Sequence, residues 1–270
     1  MTFPFTPHTS FTDDATPAIG ADFLMAMQSE GVNPLAAVAW KTRPLTSAYC
    51  TDGSTIVLSP VTAFCQDATT SKFGYATLGA TNVTSANLEG GGSFASGTWY
   101  YAYLKLDNGT ASVVVSDTGP DGERQTKSGD QTLRFLFSFR TDSGGSILRF
   151  SREGRHTHWL DRAHTYLYGA EGLGMFSWDT TGVAHQYTGA APGHAVNLDI
   201  WLWLNSGGTG YVFTLSHYGD SGAQIRASLG PNTDLAWAQK IWPNGQLYLF
   251  SDVTSMTSAY GYLRVLGYEE

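Results

Sequence analysis

Two aromatic, β-branched runs meet at a tight turn in the middle of this chain, and that feature restricts the fold more than any other. Segment 98–106 (TWYYAYLKL) runs into Asp107-Asn108-Gly109, and 111–116 (ASVVVS) returns. Asn-Gly supplies the left-handed backbone that a hairpin needs, so the two runs read as antiparallel strands. Further strands follow from Trp40 onward. Segment 131–139 sets Leu133, Phe135, Phe137 and Phe139 at two-residue spacing, which places them on one face, and the chain turns at 141–145 before a strand at 146–150. Short aromatic strands are expected at 157–160 and 165–168. Segment 196–204 alternates Leu198, Ile200, Leu202 and Leu204 against Trp201 and Trp203, and 211–217 returns after a glycine-rich turn as a second hairpin. Segments 224–229, 235–241, 246–250 and 260–268 complete the series.

Strands at this spacing, separated by turn signals, specify an all-β chain with an antiparallel β-sandwich or jelly-roll-like architecture. One segment differs. Residues 17–30 read as a short N-terminal helix: Pro17 suits a first turn, Thr16 caps it, and Gly31 stops it. Ile19, Phe23 and Met27 recur at four-residue spacing with Leu24 beside them, so these four are the expected attachment and oligomer contacts. A helix this short does not persist alone, and it must pack on the β domain or on copies of itself. The expected organisation is an arm and helix at 1–45, a β domain at 46–190, and a β segment at 191–270 that can belong to the same sandwich. Segment 117–130 (DTGPDGERQTKSGD) is the most polar stretch and reads as an exposed loop.

Charge narrows the partners. The net charge is −8 and Lys and Arg never cluster, which argues against nucleic acid and against anionic lipid. No apolar run approaches the roughly 20 residues that span a bilayer, and residues 1–20 lack a secretory pattern. Folding in a cytoplasm is therefore expected, with Cys50 and Cys65 as two buried thiols, although a late bridge between them is sterically conceivable. Trp99, Tyr101 and Tyr103 oppose Tyr100, Leu104 and Leu106, so both faces of one strand are apolar. Either the chain covers both faces itself or one meets another subunit, and the oligomer is the favoured reading.

Three stretches resemble bacteriophage tail-fibre, baseplate-associated and spike-type virion proteins. They are 16–31 (TPAIGADFLMAMQSEG), the strand at 98–106 with 137–150 (FSFRTDSGGSILRF), and the closing 262–268 (YLRVLGY), together about a sixth of the chain. The resemblance implies a homotrimer, attachment to other virion proteins through the N-terminal part, and a distal β domain facing the host. It also implies assembly in the host cytoplasm and residence in the virion, with the position on the particle left open. It further makes His156 and His158 worth naming as metal ligands, since such spikes can hold an axial metal through a His-x-His pair, and the two share one face of a strand.

Other constellations are weighed against plainer readings. Gly219-Asp220-Ser221-Gly222 matches the nucleophile loop of trypsin-like serine proteases, but the required upstream histidine reduces to His8 in the docking arm, so a hairpin turn is the better reading. Glu153, Asp161, Glu171 and Asp179 offer no spacing that selects a glycosidase pair. Trp159, Tyr166, Tyr168, Trp178 and Tyr187 lie in a glycine-rich stretch with Asp and His, and flat rings among such groups can stack on sugars, so these five form the candidate ligand site for a host glycan, against the plainer reading that most of them are core rings. The expected protein is a non-enzymatic virion structural component without cofactor, acting in attachment or host-surface binding. The alternatives are a carbohydrate-binding β-sandwich module of cellular origin and a polysaccharide-cleaving spike.

Overall fold

The computed structural model describes residues 44–123, 125–160, 183–186, 191–205, 211–216, 225–229, 234–241, 246–251 and 260–270. The expected helix, with Ile19, Phe23, Leu24 and Met27, lies outside them, as does the expected strand at 165–168.

Every strand ladder among the described residues is antiparallel. In chain order the strands are β1 (Thr46–Cys50), β2 (Ile56–Leu58), β3 (Val61–Gln66), β4 (Phe73–Leu78), β5 (Thr81–Val83), β6 (Trp99–Asp107), β7 (Thr110–Ser116), β8 (Thr126–Lys127) and β9 (Asp130–Arg140). There follow β10 (Phe150–Gly154), β11 (His156–Trp159), β12 (Val183–Gln186), β13 (Asn197–Asn205), β14 (Tyr211–Ser216), β15 (Ile225–Leu229), β16 (Asp234–Ile241), β17 (Gln246–Ser251) and β18 (Tyr260–Glu269). An eight-stranded sheet has the order β16-β13-β18-β11-β10-β1-β2-β5, and a four-stranded sheet has the order β7-β6-β9-β8. The hairpin β3-β4 stands apart, as does a second four-stranded sheet, β12-β17-β14-β15.

The eight-stranded sheet, the β7-β6-β9-β8 sheet and the β3-β4 hairpin share one core, as sandwich packing requires. Ile56, Leu58 and Phe150 from the first meet Leu104, Phe137 and Phe139 from the second and Val61 and Cys65 from the hairpin. Cys50 and Cys65 are both free and buried in this cluster. Burial pushes the Cys65 thiol up to about 12, so it behaves as a small apolar side chain.

The central hairpin forms as its sequence dictates. Asp107 pairs with Thr110, and Asn108 (φ 48°) and Gly109 (φ 78°) make the two-residue turn between β6 and β7. β9 departs from the expected single face. Ala102 pairs with Phe137, but Tyr103 pairs with Phe135, which leaves Leu136 as an extra residue in a β-bulge. The bulge reverses the alternation. Phe137 and Phe139 join the shared core, whereas Leu133 and Phe135 pack with Tyr103 in a separate cluster on the opposite face.

Segment 117–130 crosses that opposite face: Asp117, Thr118, Gly122, Glu123, Ser128 and Gly129 are exposed, as expected of a loop, while its inner side contacts the cluster. The Tyr103 hydroxyl donates to the Thr118 carbonyl (2.7 Å), Phe135 N–H donates to the Gln125 carbonyl (2.9 Å), and Thr126 is buried in β8. Its polarity serves its own turn: the Asp121 carboxylate accepts from Gln125 N–H (2.8 Å) and from the Thr126 hydroxyl (2.9 Å). The His194 ring closes the rest of the cluster, edge-on to Phe135 at 5.5 Å. Both faces of β6 are thus covered within the chain, so its two-sided apolar pattern does not call for a neighbouring subunit.

The expected second hairpin does not form. β13 is flanked by β16 and β18, so neither edge is open to β14, which pairs with β15 and β17 in the other sheet. The strand expected at 146–150 begins only at Phe150, because Asp142 spends the preceding residues on a turn, accepting from Gly144 N–H (2.8 Å) and Ser146 N–H (2.9 Å).

Candidate functional site

β11 has the burial sequence that its residues predict: Thr157 and Trp159 point into the core, and His156 and His158 point outward. Register assembles their neighbours. On one side Glu153 of β10 lies opposite His156; on the other, Glu269 of β18 lies opposite His156 and Gly267 opposite His158. One strand further, Asn197 and Asp199 of β13 stand opposite Glu269 and Gly267. The result is an outward strip of two histidines, three carboxylates and an amide across four strands.

Gly267 is what lets this strip close. The β11 and β18 backbones approach closely here, and a Cβ on residue 267 would lie 2.3 Å from the Thr157 carbonyl oxygen and 3.3 Å from His158 Nδ1. With no side chain there, His156 Nε2 reaches across β18 to Asp199 Oδ2 at 2.7 Å. Asn197 Nδ2 donates to Glu269 Oε2 at 2.9 Å. The His156 and His158 rings stack at 4.9 Å with 17° between planes. His156 thus commits Nε2 to a carboxylate, and among the described residues no three His, Cys, Asp or Glu side chains converge as a metal ion requires.

A second constellation lies on the inner side of the same strands. Arg152 Nη1 donates to Glu270 Oε2 (3.0 Å) and Thr157 Oγ1 (2.9 Å), and Nε donates to Thr46 Oγ1 (2.8 Å). Glu270 Oε1 accepts from Ser138 N–H at 3.2 Å and lies 3.6 Å from His194 Nε2, while the Tyr268 hydroxyl donates to the Ser138 carbonyl at 2.9 Å. The Arg152 and Glu270 side chains are 1% and 0% exposed. Burial alone would raise the Glu270 carboxyl; Arg152 and then His194 outweigh it and hold it at about 2.

Ser138, His194 and Glu270 have the residue types of a hydrolytic triad but not its geometry. The Ser138 hydroxyl (3.3 Å) and Glu270 both approach the same nitrogen, His194 Nε2, whereas a proton relay needs one partner on each ring nitrogen. Ser138 is also 0% exposed, out of reach of any substrate. The cluster is a structural knot tying β1, β9, β10, β11 and the end of β18. Sequence reasoning missed it, because its members are scattered from residue 46 to residue 270 with no spacing signal.

Trp159, expected in a sugar site, is instead a core residue. It is 9% exposed and packs against Tyr268 (5.7 Å), Trp99 (6.1 Å) and Phe150 (6.5 Å), so its faces are not offered to a ligand. Tyr166, Tyr168, Trp178 and Tyr187 lie outside the described residues, as do residues 217–224 with the Gly-Asp-Ser-Gly sequence. A separate open depression of about 390 Å³ lies on the four-stranded sheet, lined by Val114, Leu133, Lys105, Glu89, Asp130 and Thr132 among others. Its charges are met internally: Lys127 bonds Glu89 and Lys105 bonds Asp107 (2.9 Å).

No family model matches the chain, and no curated protein matches it. Among solved structures, it is similar to an insecticidal delta-endotoxin of Bacillus thuringiensis at 7% identity, over 84% of this chain and 51% of that one, with a TM-score of 0.21. The chain thus spans about half the length of that structure, and a likeness this slight carries no functional argument.

Proposed function

We propose that the protein is a virion structural component of the tail-fibre, spike or head-decoration kind, acting by surface contact in attachment or host binding and not by catalysis. The observation that carries the binding half is the outward strip of the eight-stranded sheet, where Glu153, His156, His158, Asn197, Asp199 and Glu269 stand on paired backbone. Side chains held on a ladder lose little freedom when a partner docks, and polar groups mixed with the half-exposed Tyr49 of neighbouring β1 suit protein or glycan contact. The particle assignment rests on the sequence resemblance. So does the homotrimer, since the apolar strand that first suggested a partner chain is covered within the chain.

Light scattering tests the assembly, with three chains of 29.1 kDa expected in the solution particle; a monomer at micromolar concentration would sink the trimer. Deleting residues 1–45 is expected to abolish incorporation into virions. Normal incorporation of that variant would remove the attachment role of the arm. Replacing Glu153 and His158 together by Ala is expected to weaken adsorption to host cells without changing solution mass. Adsorption at the unaltered level would show that the strip is not the contact surface.

A further inference from the structure

The β3-β4 hairpin carries an outward face of different chemistry. Its register sets Thr62 opposite Thr77, Phe64 opposite Tyr75 and Gln66 opposite Phe73, so these six share one side while Val61, Ala63, Cys65 and Ala76 enter the core. The six make an ordered row. Phe64 is buried beneath its neighbours: Phe73 stacks on it at 5.9 Å with 14° between planes, and Tyr75 meets it edge-on at 5.2 Å and 67°. Next along, the Thr62 and Thr77 hydroxyls bond each other at 3.0 Å. At the other end Gln66 Nε2 donates to the Ser71 carbonyl at 3.2 Å.

Tyr75 is 65% exposed, although Phe64 beneath fixes its ring. An ordered aromatic ring held in water is poised for contact at low entropic cost. What it contacts follows from the row as a whole, which is neutral from end to end: three rings, one of them a phenol, two threonine hydroxyls and a carboxamide. A charged peptide finds no counter-charge there. A lipid surface would have to desolvate the hydroxyl pair and the amide without return. A sugar fits both parts, with a C–H face for the ring and hydroxyls that exchange hydrogen bonds with Thr and Gln.

We propose that this face is a saccharide platform for a neutral glycan, with Tyr75 as the stacking ring, Phe64 as the residue that positions it, and Thr62, Thr77 and Gln66 as the hydrogen-bonding rim. The inference rests on the binding role proposed above and names its ligand class and a place for it, away from the histidine strip.

The test uses the full chain against an array of neutral and acidic oligosaccharides, with dissociation constants of the neutral hits measured by calorimetry. Tyr75→Ala is expected to weaken neutral-glycan binding about tenfold or more, the scale of a stacking hot spot. Tyr75→Phe, which keeps the ring, is expected to retain binding, as is Leu45→Ala, an exposed apolar side chain ahead of β1. Unchanged thermal midpoints in all three variants would confirm that the fold is intact. No binding to any neutral glycan, preference for acidic glycans, or affinity indifferent to Tyr75→Ala would overturn the platform. Solution mass and particle incorporation are read separately, so the proposed virion role stands or falls on its own.

Discussion

β10, β11 and β18 present one ionic cluster to each side of the same sheet, and adjacent residues in the chain supply both. Arg152, Thr157 and Glu270 point inward, while Glu153, His156 and Glu269 point outward. Inside, the Arg152–Glu270 pair is dry, and Thr46, Thr157, Ser138 and His194 bond it from every direction. Outside, the His156–Asp199 pair keeps 25% and 20% of its side-chain surface in water. The comparison teaches that residue type does not assign a role. The inner set contains a serine, a histidine and a glutamate within reach of one another and is scaffold; the outer set has no such pattern and is the one a partner can touch.

Removing one inner partner should have the largest effect. Glu270→Ala strands Arg152 in the core, and loss of about 3–5 kcal/mol is expected in urea denaturation. Arg152→Met with Glu270→Leu should restore most of it, because an apolar pair carries no desolvation penalty. A single substitution no worse than a surface change would erase the contrast. Acid sharpens the same point. The Glu270 carboxyl sits at about 2 when folded against an ordinary 4.5, so its contribution is complete above 4.5 and fades as pH falls through 2. The stability gap between the native chain and Glu270→Gln should therefore narrow steadily on acidification over that window, and a constant gap would contradict the pairing.

Gly267→Ala joins the two clusters, since the added carbon strikes the Thr157 carbonyl beneath and crowds His158 above. A loss of about 1–3 kcal/mol is expected, as for other forced insertions into packed structure. An unchanged thermal midpoint would mean that β11 and β18 are not so closely approached. Smallest of all is Asp199→Asn. An exposed pair of this kind contributes under about 1 kcal/mol. The better readout is the His156 ring by NMR, whose resonances should move as the Asp199 contact changes while melting stays the same.

Local signals were legible in the sequence, and non-local ones were not. The β6-β7 hairpin could be read because Asn108-Gly109 dictates its turn, and His156 and His158 were placed on one outward face by simple alternation. The second hairpin failed because nothing local says that β13 already has neighbours on both edges. Segment 117–130 reads as a loop and much of it is exposed, but no local signal says that its backbone also covers Tyr103. Trp159 looked like a ligand ring because aromatic composition is the same in a core and in a cleft. Tyr75 drew no notice, for the opposite reason: only the fold reveals that it remains outside.

Leu136 has a consequence of its own. With that one residue out of step, the strand that carries it lines two separate interiors, Phe137 and Phe139 serving one and Leu133 and Phe135 the other. Deleting it would set Phe135 beside Phe137 on opposite faces of a regular strand, as they already stand, so the pairs Ala102–Phe137 and Tyr103–Phe135 would survive and the loss would be that of a buried core side chain. The strand is accordingly tolerant of losing a step at this point and sensitive to losing the side chain that fills it.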